Sequence, residues 1–398
     1  MNNNPLIVGL TGSFGSGCSY IAKEILSKNG YQLFSLSDVL KKMYQKEMSE
    51  DPSAVPRKNL QDFGDKKRRE GGEDYFAREV IGEIEKRDLN NDKYVIDSIR
   101  NPAEVSFFRG CSSNFFLFGI YADEEIRWSR VKDKPAYNDN HSLFVTDDKN
   151  DKGKNNPIHG QHVEDCFYEA DVVIKNDEDF SVPGNERFQG FQSRFLKYVE
   201  LVSNPLKRQR PIKTEESLMA SAYAISQRSS CMRRKVGAVL VDEFDNIISS
   251  GFNEVPNFEN PCEQEYKGCF REKMRNDFFS GLDQLGPADK VNDIKTKFKT
   301  SFKNLDYCRA LHAEENAIVN IARNGCSISL EKCTLYSTTY PCRMCANKIV
   351  QAGIKHVHYL EPYPDADGKA ILKQAGVDDK PFEGVTFKAY FRLYGERK

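Results

Sequence analysis

The first half of the chain alternates short apolar runs with helix-like segments. The runs Leu6–Leu10, Tyr94–Asp97, Asn114–Ala122 and Asp171–Asn176 are apolar enough to indicate buried strands. The first run leads into glycines and then into the helix-like segment "SYIAKEILSKNG", which Gly30 can end. Strands that alternate with helices predict a parallel sheet covered by helices on both faces.

The second half begins with a helix and continues as a second alternating pattern. Thr214 can cap a helix in which Leu218, Ala222 and Ile225 recur at helical spacing. "VGAVLVD" and "NIISSGF" predict two strands of a hairpin joined by "EFD". After a long insertion, the pattern predicts a helix over His312–Arg323, a strand over Lys332–Thr338, a helix over Cys342–Ala352, a strand over Lys355–Leu360, a helix over Ala366–Ala375 and a last strand over Val385–Phe391.

Two polar stretches interrupt these patterns. Residues 132–161 are rich in Asp, Asn, Lys and Gly, which is typical of a surface loop, or of a lid over a ligand site. "PLKRQRPIK" carries two prolines and many charges, as a linker does. The chain is therefore expected to contain one domain over residues 1–204, a linker over 205–213 and a second domain over 214–398.

The composition of the chain argues against some classes of function. The 398 residues are 39% apolar, with 58 basic and 59 acidic residues, so no overall positive field indicates nucleic-acid binding. No apolar run reaches the roughly twenty residues that a membrane span needs, and the N-terminal residues lack the pattern of a signal peptide. We therefore expect a cytoplasmic protein whose 11 cysteines are mostly reduced, so that clustered cysteines indicate metal ligands.

A metal-ligand pattern stands out in the second half. "HAEENA" contains His312, and "PCRMC" contains Cys342 and Cys345 at i and i+3 in the first turn of a predicted helix. One histidine and two cysteines supply three ligands for tetrahedral Zn²⁺ and leave the fourth position open, as in catalytic zinc sites. A structural zinc knuckle, or separate burial of these side chains, is the alternative.

Glu314 adds a proton-transfer group to the predicted zinc ligands. It lies two residues after His312, at a predicted helix start where both side chains can reach one pocket. Zinc makes hydroxide available at neutral pH, and a nearby carboxylate can move the protons. The H-x-E and P-C-x-x-C pattern is the signature of zinc nucleobase deaminases, in which the glutamate is the general acid and base.

A second pattern lies near the N-terminus. "GSFGSGCS" fits the phosphate-binding pattern G-x-x-x-x-G-K-S, with Gly12, Gly15, Gly17 and Ser19 in place and Cys18 where lysine is expected. It follows a predicted strand and opens a helix, so its backbone amides can still hold phosphates. We expect it to bind a nucleoside triphosphate with Mg²⁺. The missing lysine charge argues against phosphoryl transfer.

A resemblance extends the zinc motif. "SQRSSCMRRKVGAVLVDEFDNIISSGFN" is similar to the opening of the deoxycytidylate deaminase family, which has Ser-x-Cys-x-Arg before its first strand and Gly-Tyr/Phe-Asn after its second. Ser229, Cys231, Arg233 and Gly251–Asn253 match. The resemblance implies a cytidine deaminase-like α/β/α sandwich. It also implies that Asn253 hydrogen-bonds the sugar and that Arg233 or Arg234 lies near the phosphates; the alternatives are a turn residue and a solvated helix end.

Three more cysteines, Cys262, Cys269 and Cys308, lie in or beside the long insertion. Some deoxycytidylate deaminases bind a second, structural zinc in this region, so the resemblance allows a second site here. Unrelated buried thiols are the alternative, because the spacing is irregular.

The rest of the first half resembles nucleotide and deoxynucleotide kinases in "SLSDVLKK", "RKNLQDFGDKKRREGG" and "VIDSIRNPAEV". This implies a P-loop nucleotide-kinase-like parallel-sheet domain. Asp97 would hold Mg²⁺ or cap a helix. Arg127 and Arg130 would be lid arginines that reach phosphates, or residues of an exposed helix face.

The complete arrangement resembles the bacterial anti-phage dCTP deaminases. That resemblance implies zinc-dependent hydrolytic deamination of dCTP and often dCMP, depletion of dCTP during infection, and control by the first domain. A regulatory nucleotide, a repressing RNA associated with some members and a homo-oligomer are partners that the resemblance suggests. The alternative is a polynucleotide deaminase acting on cytidine or adenosine in RNA or single-stranded DNA, which would need a basic groove with stacking aromatic residues.

Overall fold

The computed structural model describes residues 5–86, 92–134, 137–153, 157–178, 186–204, 211–282, 286–301, 308–325, 328–361 and 366–395. It divides into two compact units. The first unit comprises the residues up to Glu216 together with those from Phe382 onward, and the second runs from Ser217 to Pro381. The chain thus leaves the first unit once and returns to it.

A six-stranded sheet organises the described part of the first unit. In sheet order it contains β11 (Gly384–Val385), β5 (Val172–Lys175), β4 (Phe115–Tyr121), β1 (Leu6–Thr11), β3 (Lys93–Asp97) and β2 (Gln32–Ser35). Strands β1 to β5 pair in parallel, and β11 is antiparallel to β5. Every residue of β4 is buried, as a central strand covered on both faces requires. The parallel sheet and the four apolar runs assigned to it are confirmed.

Helices cover this sheet. The segment after β1 is α1 (Cys18–Tyr20), which continues as a π-helical stretch (Ile21–Leu26) and a 3₁₀ turn (Ser27–Asn29) and ends at Gly30 with φ 84°. The others are α2 (Leu36–Met48), α3 (Arg57–Gly71), α4 (Tyr75–Lys86), α5 (Pro102–Cys111), α6 (Glu124–Ser129), α7 (His141–Lys152), α8 (Val163–Tyr168), α9 (Glu186–Ser203), α10 (Thr214–Ser226), which crosses into the second unit, and the C-terminal α17 (Phe387–Tyr394).

The C-terminal segment corrects two predictions. Residues 385–391 were expected to form the last strand of the second domain, but only Val385 belongs to a strand and Phe387–Tyr394 is helix α17. The segment also belongs to the first unit: Val385 pairs with Val172 and donates its backbone N–H to buried Glu216. The cause is apolar burial, because Val385, Ala389 and Leu393 join the core of the first sheet.

Residues 132–161 are not a loop throughout. They include α7, whose Phe144, Asp147, Asp148 and Asp151 are buried. The buried carboxylates are stable there because Arg57, Arg127 and Tyr137 bond to them. The prediction of a surface loop is therefore wrong for this helix. The predicted linker lies mostly outside the described residues, since 205–210 are not described.

A five-stranded sheet organises the described part of the second unit. Its order is β10 (Asp378–Pro381), β9 (His356–Tyr359), β8 (Thr334–Ser337), β6 (Gly237–Val241) and β7 (Ile247–Phe252). The hairpin of β6 and β7 is confirmed, and β8, β9 and β10 are parallel to one another. The remaining helices are α11 (Cys262–Tyr266), α12 (Phe270–Leu282), α13 (Ala288–Ser301), α14 (Ala313–Asn324), α15 (Arg343–Gln351) and α16 (Ala366–Gln374).

Close backbone packing fixes α14 against this sheet. A Cβ on Gly251 of β7 would lie 2.2 Å from the carbonyl oxygen of Ala313, so only glycine allows this approach. The approach holds the start of α14, where the metal-ligand motif begins, against β7. Among the described helices, none is both long and apolar enough to cross a membrane.

Candidate functional site

Two helix starts meet at the metal-ligand motif. His312 is the N-cap residue of α14 and Cys342 is the N-cap residue of α15, with Cys345 one turn into that helix. The backbone of α14 is held by a capping box in which Glu315 accepts a hydrogen bond from the His312 N–H at 3.3 Å. Lys348 pairs with Glu315 at 2.7 Å and so links the two helices.

The three proposed ligands converge. His312 Nδ1 lies 3.3 Å from the Sγ atoms of both Cys342 and Cys345. The three donor atoms all lie within 4.8 Å of one another, and they form the one such group of three found among the described residues. One nitrogen and two sulfurs at this separation fit the donor set of a tetrahedral Zn²⁺ site with one open position.

The electrostatics of the group also suit a cation. A hydrogen bond from Cys345, together with His312, lowers the pKa of Cys342 to about 4 in spite of burial. The pKa of Cys345 is raised, since it donates that bond and is itself buried. One of the two thiols is therefore already a thiolate at neutral pH, and a metal ion would displace the proton of the other.

Glu314 is placed beside the ligands. It is buried, and one carboxylate oxygen lies 3.5 Å from Cys345 Sγ. Burial raises the pKa of Glu314, with His312 acting in the opposite direction. A carboxyl group whose pKa is shifted toward neutrality can both accept and return a proton.

Asn253 and Arg233 have partners within the protein. The Asn253 side chain accepts from the Val236 N–H at 2.7 Å and donates to the Arg234 carbonyl at 2.9 Å. Arg233 is half exposed and forms an ion pair with Glu272 of α12. Asn253 therefore braces the loop before β6, and Arg233 ties that loop to the insertion. The sequence contained no local signal for Glu272, which lies 39 residues later.

The three insertion cysteines are not gathered into a group as tight as the His312 site. Burial raises the pKa of Cys308, and the neighbouring thiols of Cys231 and Cys269 raise it further. Cys231, which acts on Cys308, was not among the three cysteines to which the sequence had pointed.

The phosphate loop has the geometry that its glycines predict. Gly15 and Gly17 have φ values of 84° and 100°, which side-chain-bearing residues rarely adopt. A Cβ on Gly12 would lie 2.4 Å from the Ile120 carbonyl oxygen. Ser19 Oγ donates to Asp97 at 2.6 Å, so the serine after the loop and the acid at the end of β3 are brought together.

Cys18 does not replace the missing lysine. Its side chain packs against the core of the first sheet, and its sulfur lies 3.4 Å from Ser16 Oγ. Burial and the nearby charge of Asp97 raise the pKa of its thiol to about 12, so the side chain is neutral. The loop therefore contributes backbone amides but no lysine-like charge.

Arg127 and Arg130 hold the loop from outside. Arg127 is buried, donates to the Phe14 carbonyl at 3.0 Å and pairs with Asp148. Arg130 donates to the Gly15 carbonyl at 3.0 Å. The prediction of an exposed helix face is wrong for Arg127, and both guanidinium groups fix the loop through its carbonyl oxygens.

Comparison with protein families finds a match in the second half of the chain. Residues 212–361 match the family described as "Cytidine and deoxycytidylate deaminase zinc-binding region". Deoxycytidylate deaminase of Saccharomyces cerevisiae is 29% identical over 200 residues, which are 49% of this chain and 54% of the yeast protein. The chain thus spans about half the length of that relative.

A phage relative is covered more completely. Deoxycytidylate deaminase of Enterobacteria phage T2 is 34% identical over 172 residues, 41% of this chain and 88% of the phage protein. A solved structure of dCMP deaminase from cyanophage S-TIM5, in complex with dCMP and dUMP, is 27% identical over 44% of this chain and 100% of that chain, with a TM-score of 0.30. On the strength of the phage T2 relative, the chain belongs, through its second unit, to the deoxycytidylate deaminase family.

Proposed function

We propose that the protein is a zinc-dependent deaminase of free deoxycytidine nucleotides, dCTP, dCMP or both, and that its first unit controls this activity. The observation that carries the proposal is the convergence of His312, Cys342 and Cys345 beside the buried carboxyl group of Glu314. Membership of the deoxycytidylate deaminase family supports the nucleotide class. Depletion of dCTP as an anti-phage defence rests on the resemblance of the two-part arrangement alone.

The chemistry is hydrolysis at C4 of cytosine. A zinc ion held by the three ligands would supply the Lewis acidity that makes water nucleophilic at neutral pH. Glu314 takes a proton from the attacking water and delivers it to N3. It then takes the remaining water proton from the new C4 hydroxyl and gives it to the amino group, so that the C4–N bond breaks, ammonia leaves and the C4 carbonyl forms. Water is consumed and no oxidant or reductant is needed.

Substrate contacts are proposed at the edge of this site. Asn253 would present its backbone-braced amide to the sugar, and Arg233 would exchange Glu272 for substrate phosphates. A second, structural zinc at Cys262, Cys269 and Cys308 is a separate proposal, which rests on the resemblance to deoxycytidylate deaminases alone. Self-association and a repressing RNA have no supporting contact among the described residues.

An end-point assay on purified zinc-loaded protein tests the activity. We would offer dCMP, dCTP, CTP, single-stranded DNA and RNA separately and measure ammonia and the uracil product. Product from dCMP or dCTP alone supports the proposal. Product only from a polynucleotide would replace it with the alternative class, for which the net charge of -1 is unfavourable.

A further inference from the structure

Two arginines of the second unit share one carboxylate at the edge of the insertion. Arg233, in the loop before β6, forms an ion pair with Glu272 of α12, and Arg275 of the same helix lies 3.6 Å from the same Glu272 oxygen. Each of the three side chains keeps between a third and a half of its surface exposed. Two cations beside one anion leave a net positive charge that is open to solvent.

Arg275 has hydrogen-bonding capacity to spare. Its contact with Glu272 is longer than a hydrogen bond, so the two side chains attract each other by charge without a well-formed bond. Its Nε atom is buried and has no acceptor among the described residues. Buried donors without an acceptor are uncommon and call for a partner such as an ion or a ligand.

The Arg233 side of this cluster is tied to the segment that carries the first metal ligand. In the same loop, the Ser230 N–H donates to the Glu254 carboxylate at 2.7 Å. Glu254 exchanges two backbone hydrogen bonds with Leu311, at 2.9 and 3.2 Å. Leu311 directly precedes His312, so the loop that carries Arg233 is anchored beside the candidate zinc site.

The α12 side of the cluster is tied to the same segment. The Tyr266 ring lies 4.7 Å from the ring of Phe270, the first residue of α12, between centroids. The Arg309 guanidinium lies 5.0 Å from the centroid of the Tyr266 ring. Because Arg309 is three residues before His312, the start of α12 also lies against the approach to the zinc site.

Glu272 lies where an external anion would also be stabilised. It is in the first turn of α12, where the unpaired backbone N–H groups of a helix favour negative charge. Ion pairs that are this exposed stabilise a protein little, because water competes for both partners. A ligand with a larger negative charge can therefore displace the carboxylate from the two arginines.

We propose that Glu272 occupies the place of the terminal phosphates of a deoxycytidine nucleotide, and that Arg275 is the residue that makes the site prefer a triphosphate to a monophosphate. The proposal rests on the proposed deamination of deoxycytidine nucleotides and deepens it. Arg233, on the loop anchored beside His312, would meet the phosphate nearest the sugar. Only the longer and more negative chain of a triphosphate would extend to Arg275 on the insertion helix and displace Glu272 from both arginines.

The ratio of kcat/KM for dCTP to kcat/KM for dCMP tests this role on the full-length, zinc-loaded protein. Arg275→Gln should lower the ratio about tenfold, since it removes a charge-assisted contact that only the longer phosphate chain makes. Glu272→Gln should raise the ratio about threefold, through a lower KM for dCTP, since it removes an internal competitor for the arginines. Both substrates have the same base and sugar, so a variant that merely loosens α12 would slow both reactions alike.

Lys273→Gln is the matched control. Lys273 is exposed, carries the same charge as Arg275 and lies 5.3 Å from the centroid of the Tyr266 ring. It projects about 100° around the helix axis from Glu272, so its ratio should equal that of wild type. Zinc content would show that each variant is folded, and Glu272→Gln decides the question if Arg275→Gln does not retain zinc.

The possible failures can be told apart. Product from both nucleotides with a wild-type ratio in Arg275→Gln and in Glu272→Gln would overturn this proposal alone. Product from dCMP but not from dCTP in the wild-type protein would do the same. Product from neither nucleotide would overturn the proposed function, and this proposal with it.

Discussion

At the residue scale, the candidate metal centre depends on where each ligand lies in its helix. His312 and Cys342 are both N-cap residues, and Cys345 is in the first turn of α15. Unpaired backbone N–H groups at a helix start favour negative charge, which stabilises thiolates. The same position places Glu314 in the first turn of α14, close to the ligands but not required as one of them.

Replacement of Glu314 should separate catalysis from metal binding. Glu314→Gln keeps the size of the side chain but removes the group that accepts and returns protons. We expect deamination to fall by about 10²-fold or more. The zinc content of the variant, measured by atomic absorption on the same preparation, should match that of the wild-type protein. Both values should be one equivalent if the second zinc site is absent.

The adjacent residue supplies the control for this experiment. Glu315→Gln leaves an oxygen that can still accept from the His312 N–H, and it removes only the ion pair with Lys348. It should retain deamination within a few-fold of wild type. Equal losses in the two variants would mean that Glu314 acts on the stability of α14 and not on the proton transfers.

At the element scale, the sequence predicted strands well where they are central and apolar. β1, β3, β4 and β5 all appeared as apolar runs, because a strand covered on both faces has no polar side. β2 was missed, since "QLFS" is short and mixed. α17 was mistaken for a strand because the apolar residues Val385, Phe387 and Ala389 occupy alternate positions in the sequence. The Thr386 hydroxyl that accepts from the Lys388 N–H is what starts the helix.

Helix α7 could not be predicted from local pattern for a different reason. Its buried face consists largely of aspartates, which a hydropathy pattern assigns to solvent. Burial of Asp151 and Asp148 becomes favourable through ion pairs with Arg57 and Arg127, which lie outside the helix in the sequence. These long-range ion pairs were therefore not predictable from sequence periodicity.

The assignment of α17 to the first unit gives a prediction about stability. Leu393 is buried in the core of the first sheet, whereas Phe391 of the same helix is 68% exposed. Leu393→Ala should lower the free energy of unfolding of the first unit by about 2–5 kcal/mol. Phe391→Ala should change it by about 0.5 kcal/mol or less.

The single tryptophan makes this measurement specific. Trp128 lies in the first unit and packs against Phe144 at 5.4 Å between ring centroids. Its fluorescence during urea unfolding therefore follows that unit. If Leu393→Ala left the tryptophan transition where it is in wild type, α17 would not contribute to the core of the first sheet.

At the scale of the whole molecule, the chain leaves the first unit after Glu216 and returns at Phe382. The second unit is thus covalently attached to the first at both of its ends. The sequence pattern did not predict this arrangement. It predicted that the zinc motif and the C-terminal residues belong to one continuous domain. The convergence of His312, Cys342 and Cys345, by contrast, was predictable, because each of these residues lies in a short local motif.

Control of one unit by the other gives the last prediction. Ser19→Ala removes the hydroxyl that bonds to Asp97 at the phosphate loop. If nucleotide binding at this loop regulates deamination, the ratio of deamination rates with and without added nucleotide should fall to about one in this variant. Ser27→Ala is the control. Ser27 lies in the same helical segment, donates to the Ala22 carbonyl and is not part of the phosphate loop, so the ratio of this variant should equal that of wild type. Because the ratio is compared within each variant, a general loss of activity cannot imitate the result. A wild-type ratio in Ser19→Ala would show that the nucleotide acts at another site, even if it binds at the loop.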